Sequence, residues 1–203
     1  MISNFEARNN EIKNLSNFLE NKTSDEELVK LYLETQNDVY FNAMYSRFST
    51  KIYSKCLFLL KDQERAADAT QDVFMKIILN LGKFSGKSKF GTWVYSITYN
   101  YCIDLIRKNK KQRNLFDSEL DSISEPIQDI SDKELLEIKV SRLKVILEKI
   151  PEGDKIVLLM KYQSDMSIKE IAESLNKSES AIKMKLKRAK HKAYLKHQEL
   201  FEN

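Results

Sequence analysis

The 203-residue chain has few of the residues that make tight turns, since it contains four glycines and two prolines. Average amino-acid usage would give about fourteen glycines and about ten prolines in a chain of this length. This scarcity argues against β-sandwiches, β-barrels and dinucleotide-binding folds, which need many tight turns or glycine-rich loops. The sequence therefore predicts an all-α protein. Three of the glycines, Gly82, Gly86 and Gly91, lie within ten residues of one another and predict one special loop.

Long apolar runs and clusters of metal-binding or catalytic residues are also absent. No run approaches the ~18 residues of a membrane-spanning helix, and residues 1–21 are asparagine-rich and charged, unlike a signal peptide. Cys56 and Cys102 show neither metal-ligand spacing nor a disulfide framework, so we interpret them as isolated thiols. His191 and His197 have the wrong spacing to share a metal on one helix face. The sequence predicts a cytoplasmic protein that is not an enzyme, with no metal, no cofactor and no membrane insertion.

The net charge of +4 conceals an uneven distribution. Residues 24–113 hold 15 basic and 10 acidic residues, and residues 133–203 hold 16 and 11. Residues 114–132 hold six acidic residues, four serines, Pro126 and no basic residue, without a helical period. We predict two small helical domains joined by a flexible acidic linker, with residues 1–23 as an N-terminal extension that hints at a short helix. An ordinary solvated connection explains the acidity as well as a functional linker does.

The segment from residue 63 to residue 79 has the period of an amphipathic helix. We expect Val73, Met75 and Ile77 to face the core. The remaining stripe is polar apart from one aromatic residue, which we expect to be exposed. An exposed phenylalanine among acids favours a protein contact over a solvated face. The residues of this stripe are Asp68, Gln71, Asp72 and Phe74.

The glycine cluster contains a basic, aromatic loop that is one residue too short for a phosphate-binding loop. Aromatic residues continue to residue 101, and five of the seven residues 107–113 are basic. Aromatics interleaved with cations bind unpaired bases, with stacking worth ~1–3 kcal/mol per base. Alternatively, Trp93 and Ile97 are core residues beside an ordinary amphipathic edge. The nucleic-acid set comprises Lys83, Phe84, Ser85, Lys87, Ser88, Lys89, Phe90, Trp93, Tyr95, Tyr99, Lys108, Lys110 and Lys111.

Residues 167–189 have the pattern of a helix-turn-helix. Ser167 and Glu170 form a capping box, Asn176 can end the first helix in a left-handed conformation, and Ser178 can cap the second. Ala172 is small where a second helix must cross. One apolar face joins the two helices, formed by Ile168, Ile171, Leu175, Ile182, Leu186 and Ala189.

The second helix of this motif is strongly basic, because residues 178–196 hold seven basic residues and one acid. Lys183, Met184 and Lys187 lie opposite the apolar face, as major-groove readout requires. Lys185, Arg188 and Lys192 are placed to reach phosphates. The predicted DNA-binding set comprises Ser178, Ser180, Lys183, Met184, Lys187, Arg188 and Lys192.

Three motifs in this order resemble the bacterial extracytoplasmic-function sigma factors. The sequence AADATQDVF (66–74) resembles the family's polymerase-binding helix, and FGTWVYSITYN (90–100), with Asp104 and Arg107, resembles its melting and −10 segment. Residues 167–189 resemble its −35-reading helix-turn-helix. The resemblance covers about residues 24–195, with small departures at Ala67, Val94 and Thr98.

The resemblance implies roles for these motifs in binding a polymerase and a promoter. The stripe at 68–74 would dock on the β′ clamp helices of core RNA polymerase, and the loop at 83–90 would capture a flipped base of the −10 element. Trp93, Tyr95 and Tyr99 would lie near the melting fork. Further residues would line the adjacent DNA or contact its phosphates, namely Asn100, Asp104, Arg107, Lys108, Lys110 and Lys111.

The resemblance also implies the remaining partners. The linker at 114–132 would thread toward the RNA path, where its carboxylates mimic an RNA strand. The C-terminal domain would read −35 duplex DNA beside the β flap, and an anti-sigma factor or another recruiting protein would be a further partner.

Two other functions stay open at this point. A stand-alone helix-turn-helix regulator would bind duplex DNA without polymerase, but it leaves the composition of the loop unexplained. A helical nucleic-acid enzyme would need clustered acids for a metal, and the acids of this chain cluster only in the linker.

Overall fold

The computed structural model describes residues 23–110, 130–132 and 140–202. Within these ranges the regular structure is helical and no strand occurs, so the all-α prediction is confirmed. The chain divides into two compact units, Met1–Cys102 and Ile103–Asn203, called here the N-terminal and C-terminal units. The predicted extension up to residue 22 and the linker from 114 to 129 lie outside the described residues.

The first three helices of the chain begin at side-chain caps, and the first two end at left-handed residues. Ser24, Asn37 and Asp62 each accept a hydrogen bond from a backbone N–H of the helix that follows. Gln36 and Lys61, with φ of 53° and 57°, end the first two helices. The helices are α1 (Asp25–Thr35), α2 (Asp38–Leu60), α3 (Gln63–Asn80) and α4 (Phe90–Lys110), with a 3-10 turn at Leu81–Lys83.

The core of the N-terminal unit forms where small residues let helices approach. Ala66 and Ala69 of α3 are almost completely buried. Gly91 packs beside Phe48, and a Cβ atom there would lie in ordinary van der Waals contact, 3.6 Å from that ring. Large apolar side chains fill the remaining space, among them Leu28, Phe48, Ile52, Val73, Phe74, Ile77, Phe90 and Val94.

The two cysteines are free thiols, as the sequence indicated, but they are not isolated from each other, because they meet in this core. Cys56 of α2 and Cys102 of α4 are fully buried, and their sulfur atoms lie 3.7 Å apart. The Cys102 thiol donates to Cys56, which lowers the pKa of Cys56. The same contact, together with burial, raises the pKa of Cys102. Periodicity and spacing do not reveal this contact because the two residues are 46 positions apart in the sequence.

The C-terminal unit packs its helices around a second apolar core. Ile130, at the described end of the linker, is also buried in this unit. Other buried side chains include Ile146, Ile156, Met160, Ile171, Ile182 and Leu186. The helices are α5 (Val140–Lys149), α6 (Glu152–Leu158), α7 (Ile168–Leu175) and α8 (Glu179–Phe201), and a π-helical turn at Leu159–Gln163 extends α6.

One lysine of the N-terminal core is buried. Lys55 of α2 is only 7% exposed, and its ammonium group lies 4.4 Å from the ring centroid of Tyr95 and 5.6 Å from that of Tyr99. Burial, reinforced by the charge of Lys51, lowers the pKa of Lys55 to about 8. The rings offset part of the cost of burying this charge.

Lys55 should make stability depend on pH. Its folded pKa lies below the ordinary value of 10.5, so between about pH 8 and pH 10 the unfolded chain binds more protons and stability rises with pH. We expect Lys55→Met to be more stable than wild type by about 2 kcal/mol at pH 7, with the difference shrinking toward pH 9.5. Urea unfolding followed by the fluorescence of Trp93 measures this. The exposed Lys30→Met is the control, and parallel pH profiles for wild type and Lys55→Met would contradict the assignment.

Candidate polymerase and nucleic-acid interfaces

Helix α3 presents an exposed stripe that differs from the predicted one. Asp68, Gln71 and Asp72 are exposed as expected, but Phe74 is only 6% exposed. Its ring lies 4.5 Å from that of Tyr45. The prediction of an exposed Phe74 is wrong because Phe74 follows Ala66 and Thr70 at intervals of four residues, on the face that packs against the core.

Two apolar side chains complete the exposed stripe. Met75 is 62% exposed and Leu79 is 74% exposed, so the prediction that Met75 faces the core is also wrong. Spacings of four, three and four residues place Asp68, Asp72, Met75 and Leu79 on one helix face. We call Asp68, Gln71, Asp72, Met75 and Leu79 the docking stripe. The i, i+4, i+7, i+11 spacing is the sequence signal that could have identified Met75 and Leu79, but the predicted stripe contains Phe74 instead.

The docking stripe is bonded to the neighbouring helix. The hydroxyl of Tyr101 in α4 donates to the carboxylate of Asp72. Burial and this bond raise the pKa of Tyr101 to about 12, so the phenol stays protonated at neutral pH. The Lys76 ammonium lies 5.6 Å from the same ring centroid. The polar half of the stripe is thereby fixed relative to α4.

The loop between α3 and α4 is a cationic turn. Gly86 has a φ of 69°, a conformation that side-chain-bearing residues rarely adopt. Ser85, Lys87 and Lys89 are exposed and Ser88 is half-buried. Lys83 is exposed, and its ammonium donates to the Asn80 side chain at 2.8 Å. We call residues 82–89 the basic loop.

Three aromatic side chains form a cluster beside the basic loop. Phe84 and Trp93 are half-buried, and each ring lies within 6 Å of Phe90, with centroid distances of 5.3 and 5.7 Å. Phe90 is 1% exposed and also meets Phe48 edge-on. The prediction of Phe90 as a base contact is therefore corrected, because its ring belongs to the core and supports the other two.

The buried stripe of α4 is rotated relative to the prediction. Val94, Thr98 and Tyr99 are buried, whereas Trp93 and Ile97 are only half-buried. Tyr99 is completely buried, so its expected position at a melting fork is wrong. Successive helix residues differ by about 100° in direction, so a shift of one residue moves the core face from the Trp93 row to the Val94 row.

The remaining predicted residues of α4 extend from Tyr95 to its C-terminal end. Tyr95 and Asn100 are half-buried, and Lys108 is exposed. Arg107 is half-buried, 3.7 Å from Asp104 one turn earlier, in a weak surface pair. The predicted Lys110 side chain and Lys111 lie outside what the structure describes.

A carboxylate from α1 holds the start of α4. Glu26 accepts a hydrogen bond from the backbone N–H of Phe90 at 2.8 Å, across 64 residues of sequence. Arg47 bonds α2 to the start of α1, through an ion pair with Asp25 and a 2.9 Å hydrogen bond to the Thr23 carbonyl. A negative charge at a helix N-terminus is favourable, so Glu26 fixes the end of the basic loop.

The helix-turn-helix has the predicted caps, and this prediction is confirmed. Ser167 accepts from the Glu170 N–H and Glu170 from the Ser167 N–H, at 3.2 and 2.8 Å. Asn176 has a φ of 52°, and Ser178 accepts from the Ala181 N–H. Ala172, Ile182, Leu186 and Ala189 are buried between the helices, while Ile168 and Leu175 are half-buried.

The cations of α8 separate into two groups. Ser178, Ser180 and Lys183 are exposed, Met184 is 48% exposed, and Lys187 and Arg188 are half-buried. Lys185 and Lys192 instead lie 2.9 and 3.0 Å from the two oxygens of Asp154 in α6. The prediction of Lys192, and of Lys185, as phosphate contacts is therefore wrong. Their partner is an acid that helical periodicity does not reveal.

The described end of the linker contacts α8 as well. Asp132 accepts from the Tyr162 hydroxyl at 2.7 Å and lies 3.0 Å from the Lys190 ammonium. The Tyr162 bond, followed by Lys190, lowers the pKa of Asp132, and burial together with Asp132 raises that of Tyr162.

Among the described residues, no group of three or more His, Cys, Asp or Glu side chains could hold a metal. None of the helices described is long and apolar enough to span a bilayer.

Glu26→Ala should destabilise the N-terminal unit by about 1 kcal/mol, the usual cost of losing a helix cap. Trp93 fluorescence during urea unfolding measures this loss beside the affected helix end. Glu27→Ala is the matched control, because Glu27 is an exposed acid of the same helix turn. Equal stability of the two variants would show that the Glu26 contact does not hold α4.

Comparisons with known proteins find two family regions in the order of the two units. The sequence matches Sigma-70 region 2 over residues 44–112 and Sigma-70 region 4 over residues 141–192. It is 30% identical to the ECF RNA polymerase sigma factor SigW of Bacillus subtilis, covering 70% of this chain and 81% of SigW. It is 28% identical to the ECF RNA polymerase sigma factor SigX of the same organism, and the match covers 79% of this chain and 84% of SigX.

Two solved structures share the fold at 20% sequence identity. CnrH in complex with the cytosolic domain of CnrY has a TM-score of 0.59, covering 87% of this chain and 98% of the other. The sigma factor RpoE of Bartonella quintana, in complex with the anti-sigma factor NepR, has a TM-score of 0.54, covering 80% and 96%.

Proposed function

This chain belongs to the extracytoplasmic-function family of RNA polymerase sigma factors, and from that membership we propose which surfaces bind polymerase and which read the promoter. As a sigma factor it binds core RNA polymerase and directs promoter-specific initiation, and it is not an enzyme. It acts in the cytoplasm, where the core polymerase works. Both structural relatives are complexes with a second protein, and a partner of the anti-sigma class completes the proposal.

The docking stripe of α3 is the proposed contact with the clamp helices of the β′ subunit. Asp68, Gln71 and Asp72 offer polar and charged groups, and Met75 and Leu79 expose an apolar surface directly beside them. An apolar centre with a polar rim is the usual composition of a protein interface. The exposure of Met75 and Leu79 is the observation that carries the proposal, because the described residues of the N-terminal unit leave these two apolar side chains uncovered.

The basic loop and its aromatic cluster are the proposed site for the melted −10 strand. Opening the duplex costs a few kcal/mol per flipped base, which stacking and phosphate contacts offset. Phe84 and Trp93, supported from beneath by Phe90, offer ring surfaces, and the exposed lysines of the loop offer cations. Further contacts along the strand are proposed for Ser85, Ser88, Tyr95, Asn100, Asp104, Arg107, Lys108, Lys110 and Lys111.

The exposed face of α8 is the proposed reader of the −35 duplex. Ser180, Lys183, Met184 and Lys187 occupy its N-terminal half, which enters the major groove in helix-turn-helix proteins. Ser178 and Arg188 are placed for phosphates. The acidic linker at 114–132 is proposed to follow the RNA path of the polymerase.

Transcription with purified core polymerase on genomic promoter fragments tests the function. We expect specific start sites that appear only when this protein is added. A protein that footprints duplex DNA alone and directs no specific initiation would instead be a stand-alone helix-turn-helix regulator.

Met75→Ser combined with Leu79→Ser should weaken core-polymerase binding at least tenfold, because an apolar side chain that becomes buried contributes about 1.5–3 kcal/mol. Both positions are exposed, so the thermal unfolding followed by circular dichroism should stay unchanged. Competition for labelled core polymerase measures the affinity.

Leu33→Ser serves as the control for this double variant, since Leu33 is an exposed leucine of α1 outside the docking stripe. Wild-type core affinity in the Met75 and Leu79 variant would remove the stripe from the interface.

A further inference from the structure

We propose that Asp154 is a positioning residue for −35 recognition: its buried carboxylate holds Lys185 and Lys192 on the core side of α8, away from DNA. The opposite side of α8, with Lys183, Met184 and Lys187, is thereby left to contact the duplex. The inference rests on the proposed role of α8 as the −35 reader.

The geometry of this contact is that of a buried ion triad. Asp154 has no exposed surface, and the side chains of Lys185 and Lys192 are 13% and 20% exposed. The Lys185 ammonium lies 2.9 Å from one carboxylate oxygen and the Lys192 ammonium 3.0 Å from the other. Apart from these two ammonium groups, the described residues bring no hydrogen-bond donor to either oxygen. The two ammonium groups are therefore the compensation that the structure describes for this charge.

An uncompensated carboxylate at this depth is strongly unfavourable. Neither lysine can swing out to a phosphate without leaving Asp154 poorly compensated. The triad therefore removes two cations from the DNA-facing charge of α8. A count of basic residues in the sequence does not show this loss.

The triad also fixes the rotation of α8 about its axis. Lys185 and Lys192 are seven residues apart, about two helical turns, and lie on one side of the helix. Two contacts with one carboxylate on α6 hold that side inward. Lys183 and Lys187 each lie two residues from Lys185, about 200° around the helix, and so point to the opposite side.

The test uses holoenzyme assembled from full-length protein and core polymerase. The first probe is a promoter fragment that wild-type holoenzyme selects from a library randomised at −35, and the second is the same fragment with that element scrambled. Binding is measured from about 50 to 200 mM salt, because each phosphate contact adds about 0.9 to the slope of log affinity against log salt. The ratio of the two affinities measures discrimination.

We expect Asp154→Asn to weaken the contact that holds both lysines inward. The salt slope should then steepen by about 1 to 2, the scrambled fragment should bind more tightly, and discrimination should fall about tenfold. Glu199→Gln is the matched control, since it removes one exposed acid from a lysine pair on the same helix, and it should change neither quantity. A folded Asp154→Asn protein with wild-type slope and discrimination would overturn the proposal.

A second variant decides the case if Asp154→Asn does not fold. Asp154→Asn with Lys185→Gln and Lys192→Gln removes the charges together, and we expect it to fold and to keep the wild-type salt slope. A slope shallower than wild type by 1 or more would show that the two lysines contact phosphates in the wild type, and the proposal would fail. If wild-type holoenzyme selects no −35 sequence at all, the role of α8 fails instead.

Discussion

The C-terminal unit is organised around a carboxylate that water does not reach. Asp154 sits in α6 with no exposed surface, and a buried charge is tolerated only where the opposite charge accompanies it. Helix α8 supplies that charge through two lysines of one side. The helix is therefore basic on two sides for two different reasons. One side neutralises an acid of its own domain, and the other is available to DNA.

The N-terminal unit also uses acids to join elements that are distant in sequence. Glu26 of α1 caps α4, and Asp72 of α3 accepts from Tyr101 of α4. Both contacts end on the helix that follows the basic loop. The docking stripe and the proposed −10 site are thus fixed to the same helix, so the surface proposed for polymerase and the surface proposed for the melted strand share one support.

The sequence predicts local features well and distant partners poorly. The caps of the helix-turn-helix are correct because Ser167, Glu170 and Ser178 bond within three residues of themselves. The predicted core-facing side of α3 is wrong by one residue at Phe74 and Met75. Both residues are apolar and adjacent positions differ by about 100° around the helix, so only the helices packed against α3 decide which of the two is buried. Partners such as Asp154 are set by tertiary structure, which periodicity does not contain.

The division of the cations bears on the choice between a sigma factor and a stand-alone regulator. Residues 178–196 carry seven basic residues, but Lys185, Lys190 and Lys192 each lie within 3.0 Å of an acid of the same unit. Phosphate contacts supply a large share of the affinity of a protein for duplex DNA, and these three pairings reduce the number of cations that α8 has available for them. A DNA-binding helix with few phosphate contacts gains occupancy when polymerase holds it beside the promoter, because tethering raises its effective concentration. The pairings therefore favour a protein that reads DNA together with polymerase over one that binds DNA alone.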